Sequence, residues 1–299
     1  MDAYKKQVGL LLDALPEVAK ESCFAMHGGT AINLFVRDMP RLSVDIDLTY
    51  IPLEERGESL KNINDALIRI KERIEAIKPN SRIIHKDNVC KLQISDSGTQ
   101  IKIEVNMVGR GLLDEAYKAP LCDTAQEEFD AFCAMTIAPM SQLYGGKICA
   151  ALDRQHPRDL FDIRLLLDNE GFTSEIKKGL VFGLVSSNRP THELLKPRLQ
   201  DQRSAFDNQF EGMSVIDFSY EDYEQTRLQL IELVNGCLTD DDKAFLLSVN
   251  QLEPNWGIYD FQNFPSVKWK LSNLERFKDE RSSDYQAQYE QLESILGGN

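Results

Sequence analysis

The 299-residue sequence is poor in the residues that build metal knuckles and disulfide scaffolds. It has four histidines, and its six cysteines (23, 90, 122, 133, 149 and 237) include no C-x-x-C pair. That pattern excludes a zinc knuckle or dithiol redox motif and leaves thiols that a reducing compartment keeps free. No apolar run approaches the length of a membrane span. The stretch MDAYKKQVGLLLDALPEVAK scatters charge through its apolar positions, as an amphipathic helix does and a signal peptide does not. The expectation is a cytoplasmic protein with no membrane contact. Positive charge is also scarce, with 34 Lys and Arg against 48 Asp and Glu, a net charge of −14. A general DNA-coating protein would be basic, so that class is set aside. The deficit is uneven: −4 over residues 1–150 and −10 over 151–299. The second half reads as a solvated acidic surface or a face that meets a basic partner.

What is present suffices for a packed core, since 42% of residues are hydrophobic and 27% charged. Val8, Leu11, Leu12 and Leu15 recur at helical spacing. SCFAMH reads as a short apolar strand, Gly28 to Val36 as a buried helix, and Pro40 as its breaker. SVDIDLTYI alternates, with Val44, Ile46 and Leu48 on one face and Ser43, Asp45, Asp47 and Thr49 on the other. Residues 54–78 form a charged helix with Leu60, Ile63, Leu67, Ile70, Ile74 and Ile77 as its stripe. SRIIH, VCKLQIS and QIKIEVNMV are three further strands joined by hairpin turns, and DAFCAMTIA adds a short edge strand. From Pro139 onward the pattern is helical. The fold class is α+β, with a mixed sheet and flanking helices over residues 1–138 and an all-helical domain over 139–299.

Four features can carry chemistry. Asp45 and Asp47, two apart on a strand, leave one face together. Such a pair repels unless it is solvated, protonated or bridged by a cation, and Mg²⁺ accepts one or two carboxylates plus phosphate oxygens. The plainer account is a wet strand with two ordinary acids. Gly28-Gly29-Thr30 opens a helix, where backbone N–H groups favour an anion; the plainer account is a tight turn that binds nothing. Glu104 takes the polar face of IKIEVN and joins the aspartates if its strand lies beside theirs. Lys147 sits mid-helix between Leu143, Ile148 and Leu152. After it, Pro157 starts a second helix on which Asp159 and Asp162 share a face. A lysine can hold a triphosphate and a carboxylate can take a proton. The same acids would equally serve as first-turn charges that complement the helix dipole, with Arg158 and Arg164 pairing to neighbours.

Together, HGGTAINLFV, RLSVDIDL, KIEVN and GGKICAALDRQHPRDLFDIRLLL resemble the AbiEii/AbiGii-type toxins of bacterial type IV toxin–antitoxin systems. These are nucleotidyltransferases of the DNA polymerase β-like superfamily. Arg41, Ser43, Asp45, Ile46 and Asp47 match the central R-x-S-x-D-I-D motif. Arg158, Asp159 and Asp162 match the final R-D-x-x-D. The lysine step has Ile148 where leucine is usual. The motifs span residues 24–167, and the remaining helices carry none.

The resemblance implies the following roles. Asp45 and Asp47, with Glu104 as a further candidate, would hold Mg²⁺ or Mn²⁺. Gly28, Gly29, Thr30, Arg41, Ser43 and Lys147 would bind an NTP, and Asp159 would act as base or acceptor-orienting acid supported by Arg158 and Asp162. It implies nucleotide transfer to an RNA, with the tRNA 3′ end as acceptor, growth inhibition, and a cognate antitoxin. Two alternatives stand beside it: a transferase that modifies a small molecule such as an antibiotic or a protein hydroxyl, and a non-catalytic nucleotide-binding protein.

Overall fold

The structure is a computed structural model that describes residues 2–297. The chain divides into two compact units: Met1–Pro139 with Glu211–Asp217, and Met140–Phe210 with Phe218–Asn299.

The first unit opens with α1 (Asp2–Val18), which buries Val8, Leu11, Leu12 and Leu15. It is followed by β1 (Phe24–His27), α2 (Gly28–Ala31), a π-helical turn Ile32–Val36 and β2 (Asp45–Tyr50). Next come α3 (Arg56–Ile77), β3 (Arg82–Lys86), β4 (Lys91–Asp96) and β5 (Thr99–Asn106). The unit continues through β6 (Tyr117–Pro120), α4 (Asp123–Phe129) and β7 (Ala134–Ile137). Among the described residues the strands form one seven-stranded mixed sheet, ordered β3-β4-β5-β2-β1-β7-β6. β2 runs parallel to β5 and antiparallel to β1, and β1 runs parallel to β7. The β4–β5 hairpin turns on Ser97 (φ 48°) and Gly98 (φ 79°), two left-handed residues as a type I′ turn requires.

Three local expectations change. The helix over 28–36 loosens halfway: Arg37 N–H bonds the Ile32 carbonyl five residues back at 2.8 Å, so it ends in a π turn before Pro40 is reached. The stripe of α3 is buried from Ile63 to Ile74, but Leu60 is half-buried and Ile77 is exposed. The DAFCAMTIA strand is interior rather than an edge. It has β1 on one side and β6 on the other. β6, YKAP, went unread because three of its four residues are exposed and it ends in proline, as an edge strand tolerates.

The helical region is interrupted once. Residues 211–217 return to the sheet unit, where Leu42 N–H bonds the Met213 carbonyl at 2.9 Å and Val215 N–H bonds the Pro40 carbonyl at 3.0 Å. Met213 is buried there, and Ser214 bridges Arg41. No periodic pattern in the sequence announces such an excursion.

The second unit comprises α5 (Met140–Arg154), α6 (Pro157–Asp168), α7 (Ser174–Ser186), α8 (Thr191–Leu195) and α9 (Arg203–Gln209). It continues with α10 (Tyr220–Cys237), α11 (Asp240–Asn250), α12 (Pro265–Glu280) and α13 (Ser282–Gly297). Its centre is the α5–α7 crossing. A β-carbon at Gly179 would overlap the Ser141 carbonyl, and one at Gly183 would fall 2.6 Å from Cys149 Sγ. Absent side chains let the two backbones touch and so fix α5, the helix that carries Lys147. All six cysteines are free. No described helix is long and apolar enough to cross a membrane.

Candidate active site

In the sheet unit, the register sets the site. His27 pairs with Asp47, Asp47 with Glu104, and Glu104 with Lys91, so four side chains from β1, β2, β5 and β4 form one row across one face. Asp45, one step along β2, pairs with Lys102. Both aspartates are half-exposed while Ile46 and Leu48 between and beyond them are buried, as the alternation requires. Glu104 thus reaches the expected row, but its carboxylate pairs with Lys91 at 2.6 Å. Among the described residues no group of three His, Cys, Asp or Glu side chains is gathered to hold a metal ion.

The glycine turn lies against these acids. Gly28 is left-handed (φ +77°), and a β-carbon there would fall 2.5 Å from Asp47 Oδ2. A β-carbon at Gly29 would fall 2.8 Å from Arg41 Nη2 and 3.2 Å from Ser43 Oγ. Only glycine fits either position without displacing a motif side chain. Thr30 Oγ1 donates to the Asp45 carbonyl and stands 2.9 Å from Ser43 Oγ, while Asn33 Nδ2 donates to the Gly29 carbonyl at 2.9 Å. Arg41 is buried and donates from Nη1 to the Leu42 carbonyl at 3.0 Å. Gly28, Gly29, Thr30, Arg41, Ser43, Asp45 and Asp47 therefore form one cluster. The residues fit a divalent cation in one specific way: two carboxylates on a strand face, with glycine backbone where a phosphate would approach.

In the helical unit, Lys147 is buried between two acids. Its Nζ lies 2.9 Å from Asp159 Oδ1 and 3.0 Å from Asp162 Oδ2. Arg154, whose side chain is 62% exposed, grips Asp159 from outside with Nε at 2.6 Å from Oδ2 and Nη2 at 3.1 Å from Oδ1. Burial by itself would raise the Asp159 carboxyl, but Lys147 and the bidentate Arg154 outweigh it and hold it well below the usual carboxylate range. Asp159 is therefore an ionised anchor with both oxygens engaged. Pro157 stands at the first position of α6, and His156 caps it, with Nδ1 accepting from Arg158 N–H at 3.2 Å. Burial pushes the His156 imidazole down, which suits a neutral ring whose Nε2 donates to Gln209 Oε1 at 3.1 Å. Arg164 pairs with Asp168 at 2.6 Å.

Sequence reasoning missed His27 and the grip of Arg154. His27 was legible in one respect, as the residue directly before the Gly-Gly turn. Arg154 lies five residues from Asp159 across a helix break, a distance at which no helical spacing rule applies.

The sequence profile of the nucleotidyl transferase AbiEii toxin family, of type IV toxin–antitoxin systems, matches residues 10–273. The chain belongs to this AbiEii toxin family. An AbiEii chain is a nucleotidyltransferase, with a nucleoside triphosphate as substrate and an antitoxin as partner. Its fold is similar to that of MenT4, a nucleotidyltransferase toxin from Mycobacterium tuberculosis H37Rv, with a TM-score of 0.55 at 12% identity. The match covers 89% of this chain and 91% of that one, and it is a likeness of fold. No curated protein matches the sequence.

Proposed function

We infer that this AbiEii chain transfers a nucleotide from an NTP to an RNA hydroxyl, with the tRNA 3′ end as acceptor, and so arrests growth in the bacterial cytoplasm. The observation that carries the donor half is the contact between the Gly28 backbone and Asp47 on the strand that also presents Asp45. The acceptor oxygen forms a bond to the α-phosphorus as the bond from that phosphorus to pyrophosphate breaks, and the hydroxyl proton passes to solvent. A Mg²⁺ or Mn²⁺ ion on Asp45 and Asp47 would supply Lewis-acid polarisation and charge neutralisation at the triphosphate. The glycine turn admits the phosphates, and Arg41 and Ser43 brace it. Of the two roles open to Asp159, orientation suits it better than proton abstraction, because its proton affinity is depressed and both oxygens are taken. Asp159 and Asp162 hold Lys147 charged and in place.

Incubation with labelled NTPs, Mg²⁺ and total RNA tests this reading. Label on tRNA that vanishes with Asp45→Ala supports it; equal labelling by that variant sinks it. A small cationic acceptor is the second reading, favoured by the balance of −10 over residues 151–299. Protection of expressing cells from an aminoglycoside, rather than their arrest, would select it.

A further inference from the structure

The acidic helical unit contains a compact stretch of opposite sign. Residues 196–203, KPRLQDQR, carry three cations and one acid. From 196 to 202 the backbone has no helix or strand, yet it is firmly held. Gln155 is buried at 1% exposure, with a left-handed backbone (φ 49°). Its Nε2 donates to the Arg198 carbonyl at 2.9 Å and its Oε1 accepts from Gln200 N–H at 3.0 Å. Arg227 Nη1 donates to the Gln200 carbonyl at 2.7 Å, and Tyr223 Oη donates to the Gln155 carbonyl at 2.9 Å. From the loop, Gln200 Nε2 donates to the Asp153 carbonyl at 3.2 Å and Gln202 Nε2 to the Arg154 carbonyl at 2.9 Å. A buried amide is costly unless its bonds are made. Here they are spent on fixing an exposed loop to the α5–α6 corner, the same corner from which Arg154 grips Asp159.

The fixed loop presents cations outward. Lys196 and Arg198 are exposed, and their side chains make no hydrogen bond or ion pair among the described residues. Both line a cavity of about 590 Å³. A neighbouring cavity of about 500 Å³, which shares Leu199 and Gln200 with the first, is lined by Arg203. The Arg203 guanidinium carbon lies 3.6 Å from the centre of the Tyr220 ring, a cation–π contact that holds it there. Free ammonium and guanidinium groups bind phosphates, and a guanidinium plane can stack on an unpaired base.

We propose that residues 196–203 bind the single-stranded end of the acceptor RNA, with Lys196 and Arg198 on its phosphates and Arg203 against a base. This rests on the RNA-acceptor reading above. The test is anisotropy of 5′-fluorescein bulk tRNA, titrated across KCl concentrations with wild type, K196A/R198A/R203A, and a K61A/K71A control on α3. The triple variant is expected to lose at least tenfold in affinity, and its slope of log K against log salt to fall by about 1.4, at ~0.7 for each phosphate no longer neutralised. The control should change less than twofold, and melting temperatures should coincide. If the triple variant melts lower, K196A/R198A is read instead, with the same expected slope change. Wild type that binds and labels tRNA, beside a triple variant that does both equally with the same slope, overturns this inference and leaves the RNA acceptor standing. Wild type that neither binds nor labels any RNA overturns both. Polyglutamate competing as well as tRNA would overturn the RNA assignment in favour of an acidic protein segment.

Discussion

Each unit places two aspartates on one face of a secondary-structure element, and the two pairs are treated in opposite ways. Asp45 and Asp47 stand on a strand, half-exposed, against a glycine backbone. Asp159 and Asp162 stand on a helix, buried around Lys147, with Arg154 closing Asp159 from outside. Buried carboxylates must be compensated by the protein itself, whereas solvated ones can await a cation that arrives with the substrate. The same residue type at similar spacing therefore does different work: under the proposed function one pair would receive a ligand, while the other holds a lysine in position.

This contrast predicts where each substitution acts. The largest effect is expected from Asp47→Ala, which should cut nucleotide transfer by about a thousandfold or more while leaving the urea midpoint nearly unchanged. A variant that unfolds instead would erase the distinction. Next is Lys147→Met, which strands two buried carboxylates and should cost about 3–5 kcal/mol in denaturant unfolding. If Lys147→Met keeps full stability and loses only activity, Lys147 belongs with the open pair rather than the closed one. Gly179→Ala should cost about 1–3 kcal/mol, because its new methyl meets the Ser141 carbonyl at the α5–α7 crossing. The matching change at Gly146, where a β-carbon meets nothing, should be nearly neutral.

The smallest effect near neutrality concerns pH. The folded Asp159 carboxyl is held below its unfolded value of about 3.9. The unfolded chain therefore binds the proton first, and the stability from this group is complete above about pH 5. It is lost as pH falls from about 4 toward the folded value. Urea midpoints should be flat in this contribution from pH 5 to 8, and Asp159→Asn should show a shallower decline below pH 4 than wild type.

Much of the fold was legible because it rests on periodicity. The alternation of SVDIDLTYI sent Asp45 and Asp47 to one face, and the stripe of α3 was buried through its middle. The basic residues along α3 and at its C-terminal end are salted: Arg69 and Arg73 pair with Glu21, and Lys78 with Asp13 and Asp96. The 196–203 strip escaped notice because it has no period; its order comes from Gln155, some 40 positions earlier in the chain. β6 and the return of residues 211–217 escaped for the same reason.

The sequence by itself determined the elements, the face on which each aspartate lies, and the motif set that marks an AbiEii nucleotidyltransferase. The elements and faces follow from local spacing, which fixes direction within one helix or strand; the motif set marks the family by resemblance. Only the tertiary structure decided what each charge faces. Strand register put His27, Asp47, Glu104 and Lys91 in one row, helix packing closed Asp159 and Asp162 on Lys147, and a buried glutamine fixed the basic loop. Whether a carboxylate waits for a ligand or is already neutralised depends on burial and on partners far away in sequence, and no local pattern encodes either.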